Sequence, residues 1–216
     1  MKSREHFGEN LPFLSLVPDK FDINKKYGIV ILMHGYGASM HDLSGIAPII
    51  NNKDFIYVFP NAPFEINIGL NQKGYAWFPI EELNISKSEN LIDNTVNEIL
   101  DMFKNSTDEI YIGGFSQGGM MALNSQFTKS NLFKGAIILS SRTILQNEVR
   151  LDSNTKVFMS HGREDSIIPL VDGINTNNKL NELGFEVEYH EYNMGHEISE
   201  EVINDLKIWI SKVNKQ

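Results

Sequence analysis

Glu109-Ile110-Tyr111-Ile112-Gly113-Gly114-Phe115-Ser116-Gln117-Gly118-Gly119-Met120-Met121 is the stretch on which the reading of this chain turns. Residues 109–112 have the β-branched and aromatic content of a strand, whereas Met120, Met121, Leu123 and Phe127 suit a helix. Between them lies Gly114-Phe115-Ser116-Gln117-Gly118, a G-x-S-x-G pattern. In a strand–turn–helix setting this pattern makes a sharp turn that presents a serine hydroxyl at the end of a strand. Its glycines let strand and helix approach without Cβ clashes. Two other readings compete. One is a glycine-rich strand-to-helix turn with an incidental serine; the other is a phosphate-cradling loop, which here lacks the lysine of a P-loop.

Outward from this turn, short apolar runs alternate with stretches of helical period. Residues 28–33, 55–59, 109–112, 135–139 and 156–160 are continuously apolar or nearly so, as in strands buried on both faces of a parallel sheet. Residues 186–192 alternate instead, with Val187 and Tyr189 opposite Glu186 and Glu188, which predicts a sheet edge. Ser86-Lys87-Ser88-Glu89 reads as a capping box that opens a helix with Ile92, Val96, Ile99 and Phe103 on one face. A further helix ends at Gly184, and the last begins after Ser199 with Val202, Leu206, Trp209 and Ile210 inward. This order predicts an α/β fold with a mostly parallel central sheet flanked by helices, in one domain over residues 1–216. Residues 11–17 are expected at most as an edge strand because of Pro12 and Pro18, and residues 1–10, with His6, as a disordered tail.

Composition narrows the function classes. The 216 residues contain no cysteine, which excludes disulfides, thiolate metal sites and a cysteine nucleophile and suits a reducing compartment. The formal net charge is −9 with no basic cluster, so nucleic acid is not an expected partner. The longest apolar run, residues 29–33, is far short of the ~20 residues that span a bilayer. The first residues mix both charge signs without an apolar signal core, which predicts a cytoplasmic location.

A serine hydroxyl is a weak nucleophile and needs a base. Of the six histidines, His196 follows the last strand and precedes the last helix, on the side of the sheet where strand C-termini form sites. A capping or surface role is its alternative. Asp165 lies in the loop after residues 156–160 and is the candidate to orient the imidazole, with Glu164 as the competing carboxylate. The order Ser116, Asp165, His196 is that of α/β-hydrolases. Acyl transfer also requires donors for the oxyanion. The backbone N–H of Gln117 is one candidate; the N–H of Tyr36, in the loop His34-Gly35-Tyr36-Gly37, is the other. His34 has no partner at zinc-ligand spacing and is expected to hold that loop.

At these residues the chain resembles the phospholipase/carboxylesterase family of α/β-hydrolases, which includes acyl-protein thioesterases and small bacterial carboxylesterases. The matching pieces are His34-Gly35-Tyr36-Gly37, Pro60-Asn61-Ala62-Pro63, Ala76-Trp77-Phe78, Gly113 through Gly119, His161-Gly162 through Asp165 to Ile168-Pro169, and Met194 through Ser199. The resemblance implies a Ser116–His196–Asp165 triad and oxyanion donors at Tyr36 and Gln117. It implies a carboxylesterase acting on short to medium acyl chains through an acyl-enzyme on Ser116, with no metal, no organic cofactor and a minimal lid. Lysophospholipase and acyl-protein thioesterase are the alternatives within the class, and a non-catalytic ligand-binding protein is the alternative outside it. It places Trp77, Phe78 and Ile167 at the acyl pocket, makes a small-molecule ester or thioester the partner, and allows a homodimer. Two positions depart from the family pattern: Ser140-Ser141-Arg142 stands where Ser-Gly is common, and Pro79 where an aspartate often follows Trp-Phe.

Overall fold

A computed structural model describes residues 1–70, 72–81, 83–104, 109–129, 132–144 and 155–213. In chain order the elements are β1 (Lys2–His6), β2 (Phe13–Val17), β3 (Gly28–Met33), a 3-10 turn (Asp42–Ile46) leading into the short α1 (Ala47–Ile50), β4 (Phe55–Pro60), β5 (Phe64–Gly69) and β6 (Gln72–Ala76). There follow α2 (Ser86–Met102), β7 (Ile110–Phe115), α3 (Gln117–Thr128), β8 (Gly135–Leu139), β9 (Lys156–Gly162), α4 (Leu170–Glu182), β10 (Glu186–Tyr192) and α5 (Glu200–Val213).

Eight strands form one sheet in the order β1-β2-β4-β3-β7-β8-β9-β10. From β4 to β10 every pairing is parallel. The continuous apolar runs are explained by two layers. Ile29, Ile31, Ile112, Ile138 and Met159 pack on one face beneath α2, α3 and α4. Val30, Leu32, Tyr57, Tyr111 and Phe158 pack on the other beneath α1 and α5. Neighbouring residues of one strand therefore both need apolar side chains. On α5, Val202, Leu206, Trp209 and Ile210 are all buried, each contributing roughly 1.5–3 kcal/mol of burial. β10 is the edge strand that its alternation predicted, and α4 ends as expected before Gly184, at φ 88°.

Three expectations need correction. The first residues are not a tail: β1 pairs antiparallel with β2, from Lys2 opposite Val17 to His6 opposite Phe13. The His6 ring stacks on Phe13 and its Nε2 bonds Ser15 Oγ at 2.8 Å. The second strand is not an edge, since β2 also pairs with β4. Pro12 and Pro18 lie just outside Phe13–Val17, so neither removes a ladder donor. The capping box at Ser86 does not form, because the N-cap is Ile85. Asn84 Oδ1 accepts the Ser86 N–H, while Glu89 turns away to accept from Asn124 of α3.

β5 and β6 form a separate antiparallel hairpin that the sequence left undefined. Leu70, near its tip, is 99% exposed.

Candidate active site

The loops after β3, β7, β8, β9 and β10 all lie at one end of the parallel strands, where an open α/β sheet offers a crevice. Ser116 sits between β7 and α3 with φ 54° and ψ −120°, a strained turn for a non-glycine residue. Close approach makes it fit. A Cβ on Gly118 would lie 2.1 Å from the Met33 carbonyl oxygen, so only glycine lets α3 start directly against the end of β3. The Ser116 N–H bonds Leu139 O at 2.9 Å, and Ser116 O accepts both Met120 N–H and the Ser141 hydroxyl, the latter at 2.7 Å. The turn is thus held from β8 as well as from its own helix.

Asp165 and His196 are brought together across β9 and β10. Oδ1 of Asp165 accepts the N–H groups of Ile167 and Ile168 at 2.9 and 2.8 Å, and Oδ2 lies 2.7 Å from His196 Nδ1. Burial works to raise the Asp165 carboxyl. The hydrogen bonds from His196 and from the two backbone donors outweigh it and hold the group below its ordinary value. The carboxylate is therefore ionised and fixes the proton of His196 on Nδ1, which leaves Nε2 as a base. Phe115 lies against the imidazole, ring centroids 4.7 Å apart. Ser116 Oγ and His196 Nε2 are not hydrogen-bonded; in such sites that bond often tightens only around substrate. Glu164, the competing carboxylate, is exposed to solvent.

Two backbone N–H groups beside Ser116 are the remaining candidates. Neither the Tyr36 nor the Gln117 N–H is consumed by a hydrogen bond among the described residues. A Cβ on Gly35 would lie 3.4 Å from Ser116 Cβ, so the loop after β3 runs beside the serine. His34 holds this loop as expected. It is buried, its Nδ1 bonds Gly35 O at 2.8 Å, and Nε2 accepts the Ala62 N–H at 3.1 Å. Burial pushes its pKa down to about 4, only partly opposed by the Gly35 carbonyl, so the ring is neutral.

Trp77 and Phe78 lie inside the molecule, beside the loop after β3. Trp77 has 0% of its surface exposed, and Phe78 is buried as well. Trp77 Nε1 donates to His34 O at 2.8 Å, so the indole ties down the loop after β3. Ile167, by contrast, is 67% exposed beside the Asp165 turn. Arg142 is exposed too.

Sequence reasoning missed three supporting groups. The Gln117 side chain accepts the Trp77 N–H and donates to Phe78 O, both at 2.8 Å. Ser88 Oγ donates to Trp77 O, tying α2 to the same loop. Ser141 was visible only as a departure from the Ser-Gly pattern; its hydroxyl bonds the back of the turn. Nothing local marks these partners, since each pair is distant in sequence. No three His, Asp or Glu side chains among the described residues are grouped to hold a metal ion.

A phospholipase/carboxylesterase family model matches residues 22–214. The chain belongs to that family. Among its relatives, acyl-protein thioesterase 1 of Debaryomyces hansenii is 30% identical over 87% of this chain and 91% of its own length. Acyl-protein thioesterase 1 of Kluyveromyces lactis is 30% identical over 87% of this chain and 92% of its own. In fold the chain is similar to a carboxylesterase from Mesorhizobium loti, with a TM-score of 0.80 at 17% identity, covering 97% of this chain and 98% of that one. Esterase PE8 superposes with a TM-score of 0.77 at 22% identity, over 92% of this chain and 97% of that one. The family carries the hydrolase assignment for this phospholipase/carboxylesterase-family protein, and the neighbours carry the α/β-hydrolase architecture. No described helix is long and apolar enough to cross a membrane.

Proposed function

We propose that this family member is a serine carboxylesterase. Ser116 Oγ attacks the substrate carbonyl while His196 Nε2 removes its proton, and the Asp165 carboxylate balances the imidazolium. The developing oxyanion is held by the Tyr36 and Gln117 N–H groups. His196 then protonates the leaving alcohol or thiol, leaving an acyl-enzyme on Ser116. Water, deprotonated by the same imidazole, attacks the acyl-enzyme and releases the acid. The observation that carries this reading is the 2.7 Å Asp165–His196 contact at the same strand ends as a serine held at φ 54°.

The substrates we assign are carboxylic esters of short to medium acyl chains, with exposed Ile167 as an apolar contact beside the site. A second reading, thioester hydrolysis, is favoured by relatives named acyl-protein thioesterase 1. Hydrolysis of p-nitrophenyl esters from acetate to palmitate, with Ser116→Ala alongside, tests both. A short-chain optimum that vanishes in the variant supports the carboxylesterase. A long-chain optimum, with faster turnover of the matching thioester, supports the second reading. No Ser116-dependent turnover on any substrate overturns both and leaves a ligand-binding protein on a hydrolase fold.

A further inference from the structure

The β5–β6 hairpin belongs to no layer of the main sheet, yet its inner strand is bonded to the loop that carries Tyr36. Tyr75 O accepts the Gly37 N–H at 2.9 Å, and Tyr75 N–H donates to Ala38 O at 2.9 Å, an antiparallel bridge between Tyr75 and Ala38, two residues beyond Tyr36. Beside it, Gly74 lies so close that a Cβ there would be 2.1 Å from the Gly37 carbonyl oxygen and 2.9 Å from its Cα. Gly37 itself is at φ 83°, and the Ile68 side chain of β5 covers its outer face. The base of the hairpin cannot yield, because the next residues, Ala76 and Trp77, are fully buried and Trp77 is bonded to Gln117 and His34.

We infer that the hairpin is a brace for the oxyanion hole: Gly74 and Tyr75 of β6 set the position of the Tyr36 N–H through Gly37 and Ala38, and Gly74 is a positioning residue that only glycine can fill. This rests on the serine-esterase reading of the site. A Cβ at position 74 displaces the Gly37 carbonyl, and with it the Tyr36–Gly37 peptide, away from the carbonyl carbon under attack. The binding of ground-state ester does not depend on that N–H, so the effect falls on kcat and not on KM.

The test compares Gly74→Ala with Gly69→Ala in the same hairpin, where the new Cβ meets nothing closer than 3.5 Å. With a p-nitrophenyl ester, Gly74→Ala should lose about tenfold or more in kcat at constant KM, part of the ~10²–10³ that loss of a whole oxyanion donor costs. Its affinity for a trifluoromethyl ketone, which forms an oxyanion adduct on the serine, should fall by the same factor, while Gly69→Ala keeps both. Unchanged kcat and ketone affinity in folded Gly74→Ala overturn the brace, as does an equal loss in Gly69→Ala. If Gly74→Ala does not fold by near-ultraviolet circular dichroism, Ile68→Ala decides: a fall in kcat at constant KM supports the brace, and wild-type kcat overturns it. Loss of Ser116-dependent turnover in the wild type itself would instead strike the underlying esterase reading.

Discussion

His196 Nδ1 lies 2.7 Å from Asp165 Oδ2, and the other oxygen of the same carboxylate accepts the N–H groups of Ile167 and Ile168. The two oxygens have separate tasks. Oδ1 shapes the loop, and Oδ2 sets the tautomer and tilt of the imidazole. Asp165→Asn keeps a carbonyl oxygen for the loop but turns an NH₂ toward His196, which moves the ring proton to Nε2 and removes the base. Steady-state ester hydrolysis should show kcat lower by on the order of 10⁴-fold. Glu164→Gln, on an exposed side chain, should leave kcat unchanged; the reverse pattern would reassign the carboxylate.

Ser116→Ala keeps a Cβ, so it leaves the backbone strain at φ 54° as it is and deletes only the hydroxyl. Turnover should fall by about 10⁶-fold, while thermal melting stays at the wild-type temperature or above it. Substantial residual hydrolysis in a folded variant would remove Ser116 from the nucleophile's role.

The Gln117 side chain can be separated from its backbone. Gln117→Met retains the N–H and the volume but leaves the Trp77 N–H and the Phe78 carbonyl without their partners in a buried place. Two such groups cost roughly 2–6 kcal/mol, a stability loss that urea unfolding would read directly. Wild-type stability would mean that the Trp77 loop is held without Gln117.

His34 predicts an acid sensitivity with a defined sign. Its folded pKa of about 4 lies below the ordinary histidine value of 6.5, so between these values the unfolded chain binds a proton that the folded one refuses. Its contribution to stability is therefore fully present above pH 6.5 and is lost progressively as pH falls toward 4. Between pH 7 and pH 5 the loss is about 2 kcal/mol. His34→Gln should start from a lower stability, because it disturbs the bonds to Gly35 and Ala62, but should show a shallower slope over this range in urea titrations. An unchanged slope would mean that other groups govern the acid limb.

The arrangement of β7, Ser116 and α3 was legible because its signals are local: an apolar run, a glycine-flanked serine and a helical period follow one another along the chain. The positions of Asp165 and His196 were legible for a related reason, since each follows a strand of a parallel sheet and all such loops emerge on one side. Chain order alone then brings them near Ser116.

Local signals along the chain thus define the alternation of strands and helices, the end of the sheet where the candidate residues gather, and the residue types available there for acyl-transfer chemistry. The tertiary structure decided the rest, because the rest depends on pairs far apart in sequence. Burial separates Asp165 from its exposed neighbour Glu164. The first residues become a strand only because residues 13–17 lie opposite them. Trp77, which the family resemblance places near the acyl pocket, is bonded to His34 and Gln117, and Gly74 is needed only because the backbone of Gly37 passes 2.1 Å from where its Cβ would be. Periodicity records which face of an element avoids water; it does not record which distant backbone group will claim a particular side chain or leave no room for one.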